Sequence, residues 1–200
     1  MEADEGAEII CGIRDGVTKE AIKQAIEQGN VLSVLDKKRV FAGECYFIPA
    51  GLPHAIGKGI LIAEIQQNCD LTYRVYDYER RDANGNLRAL HVDKALDVMR
   101  PFSNGQIEAL RFESAGDTRG KGVLADCAYF SVEKIGLSHT DREISLQNRM
   151  GHLLCVGGSG TITCNGQDYP IARGEGFLLP ASLHSVTLSG DGLFLFTVAK

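Results

Sequence analysis

The stretch that decides the fold is residues 40–82, VFAGECYFIPAGLPHAIGKGILIAEIQQNCDLTYRVYDYERRD. A β-rich run at 44–48 precedes Pro49 and Gly51, which turn the chain because proline cannot donate to a strand ladder and glycine tolerates positive φ. The pattern predicts that His54, just after this turn, is held on a stiff hairpin edge. A neutral imidazole is the commonest protein ligand for a transition metal, so His54 is a candidate metal ligand. The alternative is a turn histidine that makes only a hydrogen bond.

A carboxylate interrupts the apolar run that follows. Residues 59–67 are apolar on both faces as far as Glu64, which predicts a strand covered on both sides. Burying an unpaired charge is costly, so Glu64 indicates a nearby cation, a metal-bound water or a substrate hydroxyl. The alternative is a structural ion pair between Glu64 and Arg74.

An arginine lies in the next predicted strand, residues 72–78. The alternation there places Thr72, Arg74 and Tyr76 on one face. A guanidinium beside a metal-bearing strand edge can bind a phosphate with two hydrogen bonds or stabilise a developing oxyanion. Surface arginines are common, so this pattern alone does not assign a role.

These residues together resemble a known family. Residues 54–99, HAIGKGILIAEIQQNCDLTYRVYDYERRDANGNLRALHVDKALDVM, resemble the catalytic core of type I mannose-6-phosphate isomerases, particularly the short form of Gram-positive bacteria. The resemblance extends over nearly the whole chain. It implies that His54 is a zinc ligand, that Arg74 is the catalytic arginine, and that Glu64 and Asp70 lie in the substrate pocket.

The activity implied by the resemblance is zinc-dependent aldose-ketose isomerisation. The metal would polarise the open-chain sugar and stabilise an enediol(ate) between mannose 6-phosphate and fructose 6-phosphate. Glu64 is then a candidate to orient or shuttle protons, and Lys58 and Arg80 are candidates to hold the phosphate. The sequence does not identify the general base.

The chain departs from the family pattern in its metal ligands. In the family a glutamine, a histidine and a glutamate come from strands upstream of the point where this chain begins. Residues 1–13 resemble the segment just after that glutamate, so we expect the chain to lack the N-terminal third of the enzyme. The alternative function is a truncated, non-enzymatic cupin, acting as a sugar-binding module or as half of a split enzyme. The expected partners are a sugar phosphate and, through open barrel edges, the missing half or another copy.

A repeated unit organises the chain. Residues 174–184 parallel residues 43–54 as a second strand-turn-histidine unit, which implies two related barrels. We therefore expect a mainly β fold of two cupin-type jelly-roll barrels. The first, residues 1–101, is incomplete and carries a helical insertion at about 18–36. The second, residues 106–200, resembles the family's non-catalytic C-terminal cupin.

Three local features complete these expectations. His184, in the second repeat, has no ligand partners at suitable spacing and is predicted to be a structural turn residue. His91 falls at the start of a predicted helix over 91–99, where capping or packing is favoured over metal binding. The glycine run at 156–160 lacks the residues of a phosphate loop, so a hairpin turn is predicted.

The composition narrows the partners and the compartment. A net charge of -5 with no basic block argues against nucleic acid and against an anionic membrane surface. No apolar run reaches the roughly 18 residues of a membrane-spanning helix. The six cysteines form no C-x-x-C pair and are interpreted as buried thiols of a cytoplasmic protein, with cysteine metal ligation as the alternative.

Overall fold

The computed structural model describes residues 1–69, 71–78, 80–112 and 120–200. The fold in these residues is mainly β, as the sequence predicts. The α-helices are α1 Lys19–Glu27, α2 Val92–Val98 and α3 Asn104–Glu108, with a 3₁₀ turn at Val31–Ser33. The strands of the N-terminal part are β1 Glu2–Ala3, β2 Glu8–Ile13, β3 Leu35–Arg39, β4 Cys45–Tyr46, β5 His54–Ile56, β6 Ile60–Leu61 and β7 Arg111–Phe112.

The C-terminal part is a six-stranded antiparallel sheet. Its strands are β8 Gly120–Asp126, β9 Phe130–Ser145, β10 Gly151–Cys164, β11 Gln167–Ala172, β12 Gly176–Leu179 and β13 Ser185–Ala199. The order is β11-β10-β13-β9-β8, and β12 also pairs with β10. Register shifts interrupt the ladders of β8, β10 and β13. Such irregularities bend a strand and increase its twist, which lets the long strands curve around a core.

That core is closely packed around Phe194, which is fully buried. Two glycines make room for its ring. A Cβ at Gly160 would lie 2.9 Å from Cζ of Phe194, and one at Gly192 would lie 3.1 Å from the same ring. The other buried members come from alternating positions of the sheet: Ile135, Leu137, Ile144, Leu146, Leu153, Cys155, Ile162, Ile171, Leu179, Val186, Leu188, Phe196 and Val198.

The hairpin turn predicted at 156–160 is wrong. These residues lie inside β10, at the register shift between Cys155 and Gly157. The glycines permit close approach of the neighbouring strand, since a Cβ at Gly158 would lie 2.3 Å from the carbonyl oxygen of Asp191. Gly158 also has a φ of +70°, which side chains rarely adopt.

In the N-terminal part, β2 lies between β3 and β5 in a three-stranded antiparallel sheet. The predicted helical insertion is confirmed as α1 and the 3₁₀ turn. The Thr18 hydroxyl caps α1 by accepting a hydrogen bond of 3.2 Å from the Ala21 amide. The helix predicted before Pro101 is confirmed as α2.

Residues beyond 101 pack against the N-terminal part. Ile107 of α3 is fully buried in a cluster with Cys11 of β2 and with Leu52. Ser103 and Gln106 form a reciprocal capping box at the start of α3. The domain limits at 101 and 106 remain a prediction.

Two predicted strands are not formed in the described residues. Of residues 59–67 only Ile60–Leu61 is a strand, β6, and it pairs with the two residues of β1. Residues 71–78 contain no strand. A strand needs a ladder partner for its backbone groups, and an apolar pattern indicates burial without guaranteeing that partner. Leu61, Ile62 and Leu71 are accordingly exposed.

Among the described helices, none has the length and apolar character that a membrane span requires.

The packing around Phe194 leads to a stability prediction. Phe194→Ala should lower the free energy of unfolding by about 3–5 kcal/mol, because it removes a buried ring and leaves a cavity. Urea denaturation followed by circular dichroism measures the change. The matched control is Leu178→Ala on the exposed face of β12, expected to cost no more than about 0.5 kcal/mol. Equal losses in the two variants would contradict this account of the core.

Candidate active site

A buried carboxylate with three arginines around it is the main polar feature of the N-terminal part. Asp77 is only 6% exposed. Its Oδ1 lies 2.5 Å from Nη2 of Arg80 and 3.6 Å from Nε of Arg74. Its Oδ2 lies 3.5 Å from Nε of Arg88. We call Asp77, Arg74, Arg80 and Arg88 the arginine cluster.

The arginine cluster carries more positive charge than Asp77 neutralises. Three guanidinium groups and one carboxylate give the arginine cluster a formal charge of +2. Two unit charges about 6 Å apart repel by about 3 kcal/mol at an effective dielectric constant of about 20, and by less where solvent screens them. The cluster therefore favours an anion, and a phosphate or an enediolate oxygen is the kind of group that arginine binds.

The exposure of the three arginines differs. The Arg74 side chain is 21% exposed, whereas those of Arg88 and Arg80 are 42% and 61% exposed. Arg74 is thus the inner member of the cluster, and the other two line its solvent side. An anion entering from solvent meets Arg80 and Arg88 first.

The backbone of Arg74 is fixed although it lies outside any strand. The Arg74 amide donates to Nδ1 of His91 at 3.4 Å, and the His91 amide donates to the Arg74 carbonyl at 2.7 Å. Val75 packs against the cluster of α1 and α2, and Tyr76 packs against the cluster of β2 and β3. Side chains on both sides of the segment hold it in place.

His91 has a role that its sequence position did not suggest. It occupies the N-cap position of α2 but makes no side-chain capping bond. Its ring instead accepts from Arg74 and lies near Tyr73, with ring centroids 6.2 Å apart. Of the two roles predicted for His91, capping or packing, the structure shows packing.

A tight turn brings Arg80 and Arg88 to the same carboxylate. Asp82 Oδ1 accepts from the amides of Asn84 at 2.8 Å and Asn86 at 2.9 Å. The Asp82 amide donates to the Asn86 carbonyl at 2.9 Å, which closes the chain reversal. The amides of Asn86, and secondly of Asn84, lower the pKa of Asp82 because they donate to its ionised form.

His54 lies on the edge strand β5, opposite Cys11 of β2, so the predicted edge position is confirmed. The predicted hairpin is wrong, because the preceding strand β4 pairs with β7 and not with β5. The side chain is exposed. Its Nδ1 lies 3.0 Å from the carbonyl oxygen of Leu52, and because that oxygen can only accept, Nδ1 carries the proton. In the neutral imidazole the lone pair is then on Nε2. This is the tautomer and orientation that metal-binding histidines use.

The other predicted site residues lie elsewhere. Glu64 is exposed beyond the end of β6, so the prediction of a buried Glu64 is wrong; the strand that was to bury it ends at Leu61. Lys58 is exposed and lines a groove of about 590 Å³ with Asp4, Glu5 and Glu8. Asp70 lies outside the described residues. The roles predicted for Glu64, Lys58 and Asp70 remain predictions.

The chain is similar in sequence to known proteins. The family model for the mannose-6-phosphate isomerase cupin domain matches residues 121–198. The chain is 38% identical to a mannose-6-phosphate isomerase of Bacillus subtilis over 95% of this chain and 59% of the relative. It is 37% identical to one of Streptococcus mutans over 96% of this chain and 59% of the relative.

Solved structures agree with these similarities. The crystal structure of mannose 6-phosphate isomerase from Bacillus subtilis matches with a TM-score of 0.80 and 28% identity, over 98% of this chain and 62% of that chain. A variant of phosphomannose isomerase from Salmonella typhimurium matches with a TM-score of 0.71 at 14% identity, over 97% of this chain and 64% of that chain. At that identity the second match supports the fold alone.

This chain is related to the mannose-6-phosphate isomerases. The predicted resemblance and the mainly β cupin fold are both confirmed. The chain spans about 59% of the length of the two curated mannose-6-phosphate isomerases given above.

The zinc site that this family suggests was compared with the described residues. His54, through Nε2, fits the part of a single ligand. Across residues 1–69, 71–78, 80–112 and 120–200, no group of three or more His, Cys, Asp or Glu side chains is arranged to hold a metal ion. A catalytic zinc normally takes three protein ligands. The described residues of this chain offer one that fits, His54.

Sequence reasoning missed Asp77 and Arg88. The signal was present in the spacing: Asp77 lies three residues from both Arg74 and Arg80, and Arg88 follows the turn that Asp82 begins. Residues 72–78 were interpreted as a strand, and in a strand Asp77 and Arg74 would lie on opposite faces. Their pairing was therefore not considered.

The lowered pKa of Asp82 leads to a pH prediction. Its ionised form stabilises the turn, so this contribution is complete above about pH 5 and is lost as the pH falls below about 4 toward the lowered pKa. Amide hydrogen exchange at Asn84 and Asn86 should therefore lose protection relative to the sheet in that range.

Two variants test the assignment to Asp82. Asp82→Asn keeps an acceptor oxygen and should make the protection of Asn84 and Asn86 independent of pH. Asp82→Ala removes the acceptor and should abolish the protection of these two amides at every pH. An unchanged acid-dependent loss in Asp82→Asn would show that another group is responsible.

Proposed function

We propose that this chain supplies the arginine side of an active site that interconverts mannose 6-phosphate and fructose 6-phosphate. The observation that carries the proposal is the arginine cluster, which lies in the part of the chain that is similar to relatives named mannose-6-phosphate isomerase. Both sugars present the groups that such a cluster recognises. A phosphate monoester carries a charge of about -1.5 to -2 at pH 7, and isomerisation develops negative charge on a sugar oxygen.

The three arginines divide this work according to exposure. Arg74, the inner member, stabilises the oxygen on which charge develops as a proton moves between C1 and C2 of the open-chain sugar. Arg80 and Arg88, on the solvent side, hold the phosphate. Lys58 is a second phosphate candidate, although three carboxylates share its groove. Glu64 and Asp70 remain candidates to orient the sugar hydroxyls, with Glu64 the candidate to shuttle a proton.

Zinc bound at Nε2 of His54 would polarise the carbonyl and hydroxyl oxygens of the open-chain sugar. The hydrogen bond from His54 Nδ1 to the Leu52 carbonyl holds the imidazole in the orientation required. One imidazole is a weak zinc site by itself. We propose that the remaining ligands come from a second polypeptide segment, which would also cover the exposed side chains of Leu61, Ile62 and Leu71.

A second candidate function is a sugar-phosphate-binding half without activity of its own. This second function is favoured by the finding that His54 fits only one position of a zinc site. The two functions are separated by assaying the chain alone and the chain mixed with the segment of the Bacillus subtilis relative that it does not cover. An isomerase assembled from two segments gains activity on mixing, whereas a binding module binds mannose 6-phosphate and stays inactive in both samples.

Arg74→Ala tests the assigned catalytic arginine. In the mixed sample it should lower kcat by about 100-fold or more, because a lost oxyanion partner costs about 3 kcal/mol. Bound zinc should not change. The matched control is Arg142→Ala, which removes an arginine paired with Glu133 at 3.1 Å in the C-terminal sheet, and it should keep normal turnover. Normal turnover in Arg74→Ala would exclude Arg74 from the mechanism.

Zinc calorimetry tests the metal assignment. The chain alone should bind zinc weakly, and the mixed sample should bind one zinc tightly, with His54→Ala abolishing the tight binding. The control is His184→Ala in the second repeat, which should bind zinc as the unmodified chain does. Tight zinc binding by the chain alone, lost in His54→Ala, would mean that further ligands lie within these 200 residues.

A further inference from the structure

We propose that Asp77 is a positioning residue, a buried carboxylate that gathers the guanidinium groups of Arg74, Arg80 and Arg88 into a single anion-binding site and fixes the orientation of Arg74. The inference deepens the proposed function and rests on that function for the identity of the substrate. The binding of an anion by the cluster does not depend on the proposed function.

The contacts make Asp77 the common partner of the cluster. Arg74 and Arg80 approach the same oxygen, Oδ1, while Arg88 faces Oδ2. Arg74 lies outside any strand, and among the described residues of this segment the isolated bridge between Arg81 and Leu87 orders the turn that separates Arg80 from Arg88. Arg80 is tied to Asp77 by a second contact, because its backbone amide donates to the Asp77 carbonyl at 3.0 Å. The turn brings Arg80 and Arg88 close to each other, and Asp77 contacts both of them and Arg74.

Burial separates Asp77 from an ordinary surface ion pair. An exposed pair contributes little, because solvent screens it and both side chains lose freedom. Asp77 is 6% exposed, and its Oδ2 has no hydrogen-bond partner within the part of the chain that the structure describes. The Nε atom of Arg88 lies 3.5 Å from this oxygen, which places the Arg88 guanidinium beside the buried carboxylate.

Two explanations of Asp77 predict opposite effects on anion binding. If Asp77 only neutralises charge, its replacement by asparagine raises the formal charge of the cluster from two to three and tightens phosphate binding. If Asp77 positions the arginines, the same replacement releases mutually repelling guanidinium groups and weakens phosphate binding. The sign of the change therefore decides between them.

The experiment is a titration of the 200-residue chain with inorganic phosphate, followed by NMR of the arginine Nε–Hε groups. In the unmodified chain, the Nε–Hε signals of Arg74, Arg80 and Arg88 should shift together with one Kd. Asp77→Asn should raise that Kd by about tenfold, the effect of losing roughly one charge-assisted hydrogen bond. Asp77→Glu, which keeps the charge but moves it by one methylene, should give an intermediate Kd.

Glu133→Gln is the matched control. It also raises the net charge by one and removes a partly buried carboxylate paired with an arginine, but it lies in the C-terminal sheet. It should leave the phosphate Kd unchanged. Thermal unfolding of each variant checks that the fold is kept. If Asp77→Asn does not fold, a phosphate Kd that rises in Asp77→Glu supports the positioning role.

Three results would overturn the proposal. They are a phosphate Kd that falls or stays constant in the Asp77 variant that folds, arginine signals that do not respond to phosphate in the unmodified chain, and an equal weakening in Glu133→Gln. Isomerase kinetics of the mixed sample give a separate readout: Asp77→Asn should lower kcat and raise KM for mannose 6-phosphate. If no sample isomerises the sugar, the proposed function fails while the phosphate titration still decides the role of Asp77.

Discussion

Backbone pairing is the constraint on which the rest of this structure depends. In the C-terminal sheet β13 is paired along its length on both sides, with β9 and with β10, so its backbone groups are satisfied and its side chains can alternate into a core. In the N-terminal part, pairing is short. Strands β1 and β6 satisfy two residues each, and beyond Leu61 no described residue continues the ladder. The chain is therefore regular where partners exist and irregular where they do not.

The same constraint explains how much of the fold could be predicted from the sequence. Periodicity and capping residues correctly indicated α1, α2 and the β edge at His54, because those features depend on nearby residues. The glycine run at 156–160 was predicted to be a hairpin turn, because glycines that look like a turn in sequence can also lie at a bend within a long strand. The strand and the burial predicted for Glu64 were wrong, since an apolar run reports a preference for burial and not the presence of a ladder partner.

The candidate site was predicted only in part, for a related reason. His54 and Arg74 were predicted as site residues from local signals, a turn motif and an arginine in a patterned segment. Asp77 and Arg88 were missed because their relationship depends on a chain reversal that brings residues 74, 80 and 88 to one carboxylate. In this segment the contacts of Arg74, Arg80 and Arg88 are to a buried charge, and the Arg74 amide also donates a hydrogen bond to the distant ring of His91. Sequence patterns describe such arrangements poorly, because each contact joins residues with no periodic relation.

The excess positive charge of the arginine cluster also affects how a ligand arrives. The chain as a whole has a formal charge of -5, so a sugar phosphate dianion, the ligand proposed above, would be repelled by the net charge and attracted by the local positive charge of the cluster. Such a field turns the approaching molecule so that its phosphate leads and its uncharged sugar end follows. The association rate should then fall as salt is added, since charges are screened beyond about 8 Å at physiological ionic strength. The cluster thereby selects the direction of entry before any hydrogen bond to the sugar has formed.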